Sequence, residues 1–443
     1  MTVSSPAAAA HAAAGARGLK GRLLYVVVDR IEGRAVIPAL EAMLERQGWD
    51  AARLRAETDL RVRRQLEHAI ARVPFYQRLG LATSATLDAL PLIGREELRR
   101  HGDSLRVPDV PPGALEEATS GGSTGTPVRV WLDAPARDAQ MAGVLRAQTW
   151  MGLPLVTRHA LLWGPPPDVV TYGTLKGRLR GLPIRRSFYP TYGLDDAAAA
   201  RLRDQLRHGA FPQVFGYSSA LDRIASGAEP LPRPARAVVA SAEILFPAQR
   251  RRIERFFGAP LFERYGCNEF AAIAHQCARG GRHVLSDRVV LEILDRSGRP
   301  APPGTIGEAV VSDLDNRAMP LLRYRLGDAI EAGGTCSCPL PFPVVGPVHG
   351  RMADLLEGEG GRMVSPRHVA ETLAPCGEAL EHQVRVADGG LTCLVRSMGS
   401  FDFVRAASAL GALFGLDVAV RPAVAIERWP SGKVRPVVRE AAA

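Results

Sequence analysis

Apolar residues recur at three- and four-residue spacing from Leu40 to Arg72, with Arg and Glu between them, which predicts amphipathic helices. The pattern stops at Val73-Pro74-Phe75-Tyr76, because proline lacks an amide and restricts the residue before it. Pro91-Leu92-Ile93 followed by Glu96-Glu97-Leu98 reads as a turn entering a helix. Val128 to Leu132 alternates like a strand, and Ala134 to Met151 predicts a long helix. Ala160–Trp163, Val214–Tyr217 and Ala237–Ala240 are short apolar runs bounded by turn residues, as buried strands are. Helical stretches stand among them at Asp195–His208 and Phe246–Phe257. This alternation predicts an α/β fold.

From His283 the pattern turns to β. Val289–Leu294, Gly307–Asp313 and Leu321–Tyr324 are strand-like, with Gly and Pro turns between them. Pro339–Pro347 is proline-rich and is expected to be irregular. Gly350-Arg351-Met352-Ala353-Asp354 opens a final segment that alternates short strands with helices at Pro366–Leu373 and Phe403–Phe414. With 443 residues the chain is too long for one core. The expected division is a disordered Ala-rich tail at 1–18, a large multi-sheet domain at 19–349 and a small α+β lid at 350–443.

Composition narrows the function classes. Hydrophobic residues at 46% and charged residues at 23% suit an ordinary globular protein. Leu23–Val28 is apolar but far too short to span a membrane, and Thr2–Gly18 lacks the apolar core of a secretory signal. Six cysteines in a chain of this size point to a reducing cytoplasm. The formal charge is +10, but apart from Arg61–Arg64, Arg185–Arg186 and Arg250–Arg252 the basic residues are scattered. No aromatic-interleaved basic stripe or zinc-finger spacing appears, so no nucleic-acid partner and no membrane partner is expected. Only Lys20, Lys176 and Lys433 are lysine; every other basic position is arginine. An ammonium is a compact, mobile point charge and guanidinium a planar fork, so each surviving lysine is worth questioning.

The most glycine- and hydroxyl-rich stretch is Thr119-Ser120-Gly121-Gly122-Ser123-Thr124-Gly125-Thr126-Pro127. Such a turn, running into a strand, can cradle phosphate with backbone amides and hydroxyls. It is not a Walker loop, since no Gly-Lys-Ser/Thr follows. Ser241-Ala242-Glu243 follows a buried strand, where α/β proteins bind ligands. Tyr265-Gly266-Cys267-Asn268-Glu269 follows the strand-like Pro260–Arg264 and offers a ring, a turn and a carboxylate. Arg323-Tyr324-Arg325-Leu326-Gly327-Asp328 is read as a strand ending in a carboxylate that could grip a diol. Trp429-Pro430-Ser431-Gly432-Lys433 is a turn projecting a lysine. Separately, Cys277, His283, Cys336 and Cys338 supply three thiols and an imidazole, a set that suits a tetrahedral structural zinc or, equally, buried free thiols beside a surface histidine. Cys267, Cys376 and Cys393 are read as free.

Taken in order, the five stretches resemble the adenylate-forming (acyl-AMP) ligase superfamily, and within it the phenylacetate–CoA ligase and CapK-like branch, from about Trp49 to Lys433. The segment from Leu66 to Tyr76, ending Val-Pro-Phe-Tyr, is similar to that branch's N-terminal helix. The resemblance implies that Gly122, Ser123, Thr124 and Gly125 hold the β- and γ-phosphates of ATP, with Thr119, Ser120 and Gly121 in the same loop. It implies that Ala242 and Glu243 border the adenine, that Tyr265 stacks on it beside Gly266, and that Asp328 binds the ribose hydroxyls. Asn268, where the family usually has Thr, would contact the α-phosphate or the substrate carboxylate, and Glu269 would hold magnesium. Arg351 would sit at the hinge and Lys433 would be the mobile catalytic lysine. Gly121 replaces a usual hydroxyl residue, and Ala353, next to Asp354, replaces a usual hinge carboxylate. The branch often has Cys and His at the zinc positions. The implied reaction activates a carboxylic acid and passes the acyl group to a thiol, with coenzyme A first and an amine second as acceptor; a basic nucleic-acid binder is the remote alternative, and a homodimer is an allowed assembly. Phe215, Gly216 and Tyr217 would line an acyl pocket or belong to the core. No general base is required, because a carboxylate is already ionised at neutral pH.

Overall fold

The structure is a computed structural model that describes residues 19–119, 128–164, 174–175, 185–387, 390–429 and 433–440; the expected tail at 1–18 lies outside them. The chain divides into two compact units, Met1–Arg158 with Leu179–Arg186 and Phe262–Gly346, and His159–Arg178 with Ser187–Leu261 and Pro347–Ala443.

In the first unit the helical reading of residues 40–72 resolves into Val36–Gln47 and Ala51–Arg72, the latter capped by Asp50, whose carboxylate accepts from the Arg53 amide at 2.8 Å. A preceding helix, Leu19–Glu32, was not anticipated. Tyr76 is fully buried, and its hydroxyl donates to the Pro320 carbonyl at 3.0 Å while accepting from the Leu322 amide at 3.1 Å. The helix Ala134–Trp150 starts at Asp133, which caps the Ala136 amide, and packs on Val36–Gln47 and on the strand Ala271–Gln276. It carries Arg146 into the core, bidentate on Asp287 at 2.7 and 2.8 Å, with Arg46 on the same carboxylate at 2.9 Å. Burial opposes that charge, but the two guanidiniums outweigh it and hold the Asp287 carboxyl well below its usual range. Stranding either member of such a buried pair costs ~3–5 kcal/mol.

The β region of this unit is antiparallel. Val289–Leu294, Ile306–Asp313 and Tyr324–Glu331 pair in sequence order. The strand expected at Leu321–Tyr324 therefore begins only at Tyr324, and Gly327-Asp328 lies inside it rather than at its end. Leu321 and Leu322 are buried by packing, and Arg323 turns the chain in the left-handed region at φ 52° before the ladder starts. Apolar content misplaced the strand because burial and pairing are different properties. Leu261–Cys267 pairs with Ala271–Gln276, which pairs with Arg282–Val284, and Val344–Val345 adds a short bridge within the proline-rich stretch.

In the second unit His159–Trp163, Gln213–Tyr217 and Ala237–Ser241 run parallel, as their apolar runs predict. The helices Asp196–Gly209, Ser218–Ala225 and Pro247–Phe257 cover them through Leu202, Leu221, Ile253 and Phe256. The last segment builds a four-stranded sheet around two long strands, Gly377–Ala387 and Gly390–Phe401, flanked by Val418–Pro422 and Val437–Arg439 in parallel pairing. Its helices Pro366–Leu373 and Phe403–Phe414 are capped by Ser365 and Asp402. Arg252, nearly fully buried, grips Asp222 at 2.7 and 2.8 Å and reaches Glu378 at 3.2 Å, which ties this sheet to the helix Pro247–Phe257. The mixed α/β, multi-sheet class read from the sequence is the class observed.

Candidate functional site

Glu116–Thr119 and Arg129–Leu132 pair antiparallel with Thr119 opposite Arg129. The hydroxyl-rich loop joins these two strands; its members Ser120, Gly121, Gly122, Ser123, Thr124 and Gly125 lie outside the described residues. The side-chain amide of Asn268 donates to the Thr119 carbonyl at 2.7 Å, so the loop's first residue is tied to the Tyr-Gly-Cys-Asn-Glu stretch. That stretch is shaped by Gly266. A Cβ there would stand 1.8 Å from the Ala271 carbonyl oxygen, at a bulge in the register of its hairpin, so no side chain fits. Tyr265 is buried and its hydroxyl donates to Asp328 Oδ2 at 2.9 Å, which joins two of the expected ligand residues directly.

Glu269 is 3% exposed, and among the described residues no basic side chain pairs with it. Burial first, then the Glu269 charge, push the Cys267 thiol well above its ordinary value, so that thiol is neutral and donates to the carboxylate. A buried carboxylate without a cation is costly, and it is a fit place for one.

In the second unit, strand register does the positioning. Leu162 stands opposite Gly216 and Tyr217 opposite Ser241, so Trp163, Tyr217 and Ser241 share the carboxyl ends of three parallel strands. Trp163 and Tyr217 stack with centroids 4.2 Å apart and 21° between planes. Ala242 continues at φ 67°, a left-handed conformation that costs an alanine ~1 kcal/mol. Glu243 Oε2 accepts from the Ser219 amide at 2.8 Å, at the start of the helix Ser218–Ala225. Lys433 Nζ donates to the Ala242 carbonyl at 3.0 Å and lies 5.3 Å from the Tyr217 ring centroid. The Trp429 amide donates to the Lys433 carbonyl at 2.8 Å.

Arg351 ends the strand Val348–Arg351 and Asp354 follows in a short turn. Burial raises the Asp354 carboxyl to about 6 against the opposing pull of Arg351 and Arg439. A carboxyl raised in the folded state contributes stability when protonated, and this is lost as pH climbs from the unfolded value near 4 through about 6. Asp354→Asn is therefore expected to gain melting temperature relative to the wild type as the pH climbs from 4 to 7; a constant difference would place the titration elsewhere.

The four metal-type residues converge. One ligand atom from each of Cys277, His283, Cys336 and Cys338 lies within 4.8 Å of all the others. Cys277 and Cys336 sulfurs are 3.5 Å apart, and Cys338 Sγ is 3.1 Å from His283 Nε2. His283 Nδ1 is 2.9 Å from the Phe342 carbonyl, which fixes the proton on Nδ1 and turns the Nε2 lone pair into the cluster. Gly281 sits under the group: a Cβ would come 2.6 Å from Cys336 Sγ. Burial opposes the Cys336 thiolate, but hydrogen bonds from the Cys338 backbone and side chain lead the contributions that outweigh it, while burial and its neighbours push the Cys338 thiol up. The protein alone supports one thiolate and resists a second beside it. Sequence reasoning missed Gly281, the Phe342 carbonyl and the Trp163–Tyr217 stack; only the Gly280-Gly281 pair left a trace in the sequence.

No family model matches the chain. It is 25% identical over 362 residues to a phenylacetate–coenzyme A ligase of Thermus thermophilus, covering 74% of this chain and 77% of that protein. A shorter stretch of 113 residues is 32% identical to the phenylacetate–coenzyme A ligase of Pseudomonas putida, 24% of this chain and 25% of that one. Among solved structures, a 2-hydroxyisobutyryl-CoA ligase in its postadenylation state superposes with a TM-score of 0.73 at 18% identity, over 89% of this chain and 91% of that one. An amide bond synthetase from Marinactinospora thermotolerans superposes with a TM-score of 0.52 at 19% identity, over 73% and 68%. Among the described residues no helix is long and apolar enough to cross a membrane.

Proposed function

We propose that the chain is an AMP-forming acid–thiol ligase of the adenylate-forming (acyl-AMP) superfamily. A substrate carboxylate attacks the α-phosphorus of ATP and expels pyrophosphate; the thiol of coenzyme A then attacks the acyl carbon and expels AMP. The observation that carries this reading is Lys433, brought from the end of the chain to the Ala242 carbonyl at 3.0 Å beside Glu243. Two anions must meet in the first step, so catalysis rests on positioning and on positive charge held in place. Lys433 supplies such a charge. Asn268 holds the first residue of the phosphate loop, whose amides and hydroxyls at 120–125 would cradle the outer phosphates. Tyr265 and Asp328 form the nucleoside wall, the ring for adenine and the carboxylate for the ribose diol. Residues 350–443 would act as the mobile lid, with Arg351 at its hinge.

Glu269 would hold magnesium, since its carboxylate is buried without a basic partner among the described residues. Magnesium there would neutralise phosphate charge. Cys277, His283, Cys336 and Cys338 would hold a structural zinc, which suits a cluster that resists a second thiolate beside its first. A cytoplasmic location is in keeping with the free thiols.

The decisive experiment is pyrophosphate release over a panel of aromatic and short aliphatic acids, with and without coenzyme A. Acid-dependent release, with thioester only when coenzyme A is present, is expected; amide formation with an amine in place of the thiol would favour the second acceptor, and no acid-dependent release would sink the reading. Asp328→Ala removes the diol grip and is expected to raise KM for ATP about 10-fold with a smaller change in kcat, as loss of uniform binding does.

A further inference from the structure

Lys433 is not simply delivered by its turn; something receives it. Its Nζ meets the Ala242 carbonyl at 3.0 Å and the face of Tyr217 at 5.3 Å. Tyr217 is itself backed by Trp163, parallel at 4.2 Å, so the ring cannot swing away from the ammonium. The carbonyl is equally constrained. Ala242 holds a left-handed backbone at φ 67°, which turns its oxygen out of the strand direction toward the lysine. Strain of this kind persists only where the surroundings impose it, and it concentrates at working sites. An ammonium over an aromatic face, capped by a carbonyl, is held by interactions that suit any cation but fix no single orientation of its three protons.

We propose that Tyr217, braced by Trp163, and the strained carbonyl of Ala242 form a receiving seat that positions Lys433 for adenylation. Tyr217 is thereby a positioning residue acting through the lysine, not a lining of the acid pocket. The inference rests on the ligase reading for its consequence, but the seat itself is a property of the free protein. The ring and the carbonyl meet the ammonium with partial charges, so neither of these two contacts cancels the positive charge it brings to a phosphate oxygen. Tyr217 keeps its task when the hydroxyl is removed, because the face of the ring is what the cation meets.

Two measurements test this. The chain has only three lysines, so amine acetylation by a water-soluble N-hydroxysuccinimide ester can be followed at each by peptide mass spectrometry, with Lys20 and Lys176 as references. Tyr217→Leu is expected to raise the relative acetylation rate of Lys433 about threefold, the scale of an exposed cation–π contact, and Tyr217→Phe to leave it unchanged. An unchanged rate in the leucine variant would overturn the seat. The second measurement is a cycle on acyl-AMP formation. Tyr217→Leu is expected to lower kcat about 10-fold with little change in KM for the acid, Tyr217→Phe to stay within twofold, and Tyr217→Leu to cause no further loss in a Lys433→Ala background. A loss that multiplies with Lys433→Ala, or that falls on the acid's KM, would return the ring to the acid pocket. Should the wild-type protein adenylate no acid, the ligase reading fails, while acetylation still decides whether the ring holds the lysine.

Discussion

Lys433→Ala is expected to reduce acyl-AMP formation on the order of 100-fold or more, the scale on which a single charge-stabilising contact in a transition state is lost. Lys433 is half-buried and is tied to Ala242, 191 residues earlier in the chain. Its removal leaves no core cavity, so stability should hold while the first half-reaction collapses. The thiol step has a different demand. The acyl-AMP is already made, and the developing negative charge sits on the carbonyl oxygen and the departing AMP, not on a pyrophosphate leaving group. If the lid turns between steps, the lysine leaves with it. Chemically made acyl-AMP supplied with coenzyme A to the Lys433→Ala protein should therefore be consumed at close to the normal rate. Equal losses in both steps would assign the lysine a structural role or deny that the lid alternates; no loss in either would reduce it to a surface charge. Lys433→Arg is informative beside it, since it keeps the charge but replaces a compact ammonium with a broad fork that the seat beside Tyr217 was not built to take. It should recover only part of the rate.

The parallel strands and the helices around them were legible because one pattern fed both local structure and burial. Ala237 to Ala240 is apolar through its length and, with Ser241, is buried through its length. The same logic misled at Leu321-Leu322, which are buried without belonging to a ladder, because Arg323 takes a left-handed turn that hydropathy does not encode. Buried arginines were likewise invisible. Nothing in the sequence marks Arg146 or Arg252 as buried, and the partners Asp287 and Asp222, 141 and 30 residues away in sequence, make their burial tolerable. At the site, short motifs named the residues with side-chain chemistry: Tyr265, Asn268, Asp328 and Lys433 all make specific hydrogen bonds. What motifs could not carry was anything supplied by backbone or by register. The Ala242 and Phe342 carbonyls have no letter of their own, and the Trp163–Tyr217 stack exists because two strands 54 residues apart align Leu162 with Gly216.

The other large effect is expected on removing a thiol from the cluster of Cys277, His283, Cys336 and Cys338. Cys277 is buried in a cluster with Trp150, Ala272, Leu285 and Phe342, and its partners come from the hairpin at 271–284 and from residues 336–338 far along the chain. A metal here would cross-link a loop of about 60 residues, where closure entropy is large and grows slowly with length. Purified protein is accordingly expected to contain about one zinc per chain, and Cys336→Ser to lower the zinc content below half. The melting temperature should fall by about 5 °C or more, since a 2–3 kcal/mol loss moves Tm by roughly that amount in a domain of this size. Because Gly281 has no room for a Cβ beside Cys336 Sγ, Gly281→Ala should reproduce part of the loss without removing a ligand atom. The pH dependence separates metal from mere packing. Thiolates and a neutral imidazole are needed to bind zinc, so acidification toward pH 5 should release the ion and drop the melting temperature together in the wild type, and the drop should be absent from Cys336→Ser. A folded, zinc-free protein with the same melting temperature as the variant would make the four residues a packed thiol cluster and nothing more.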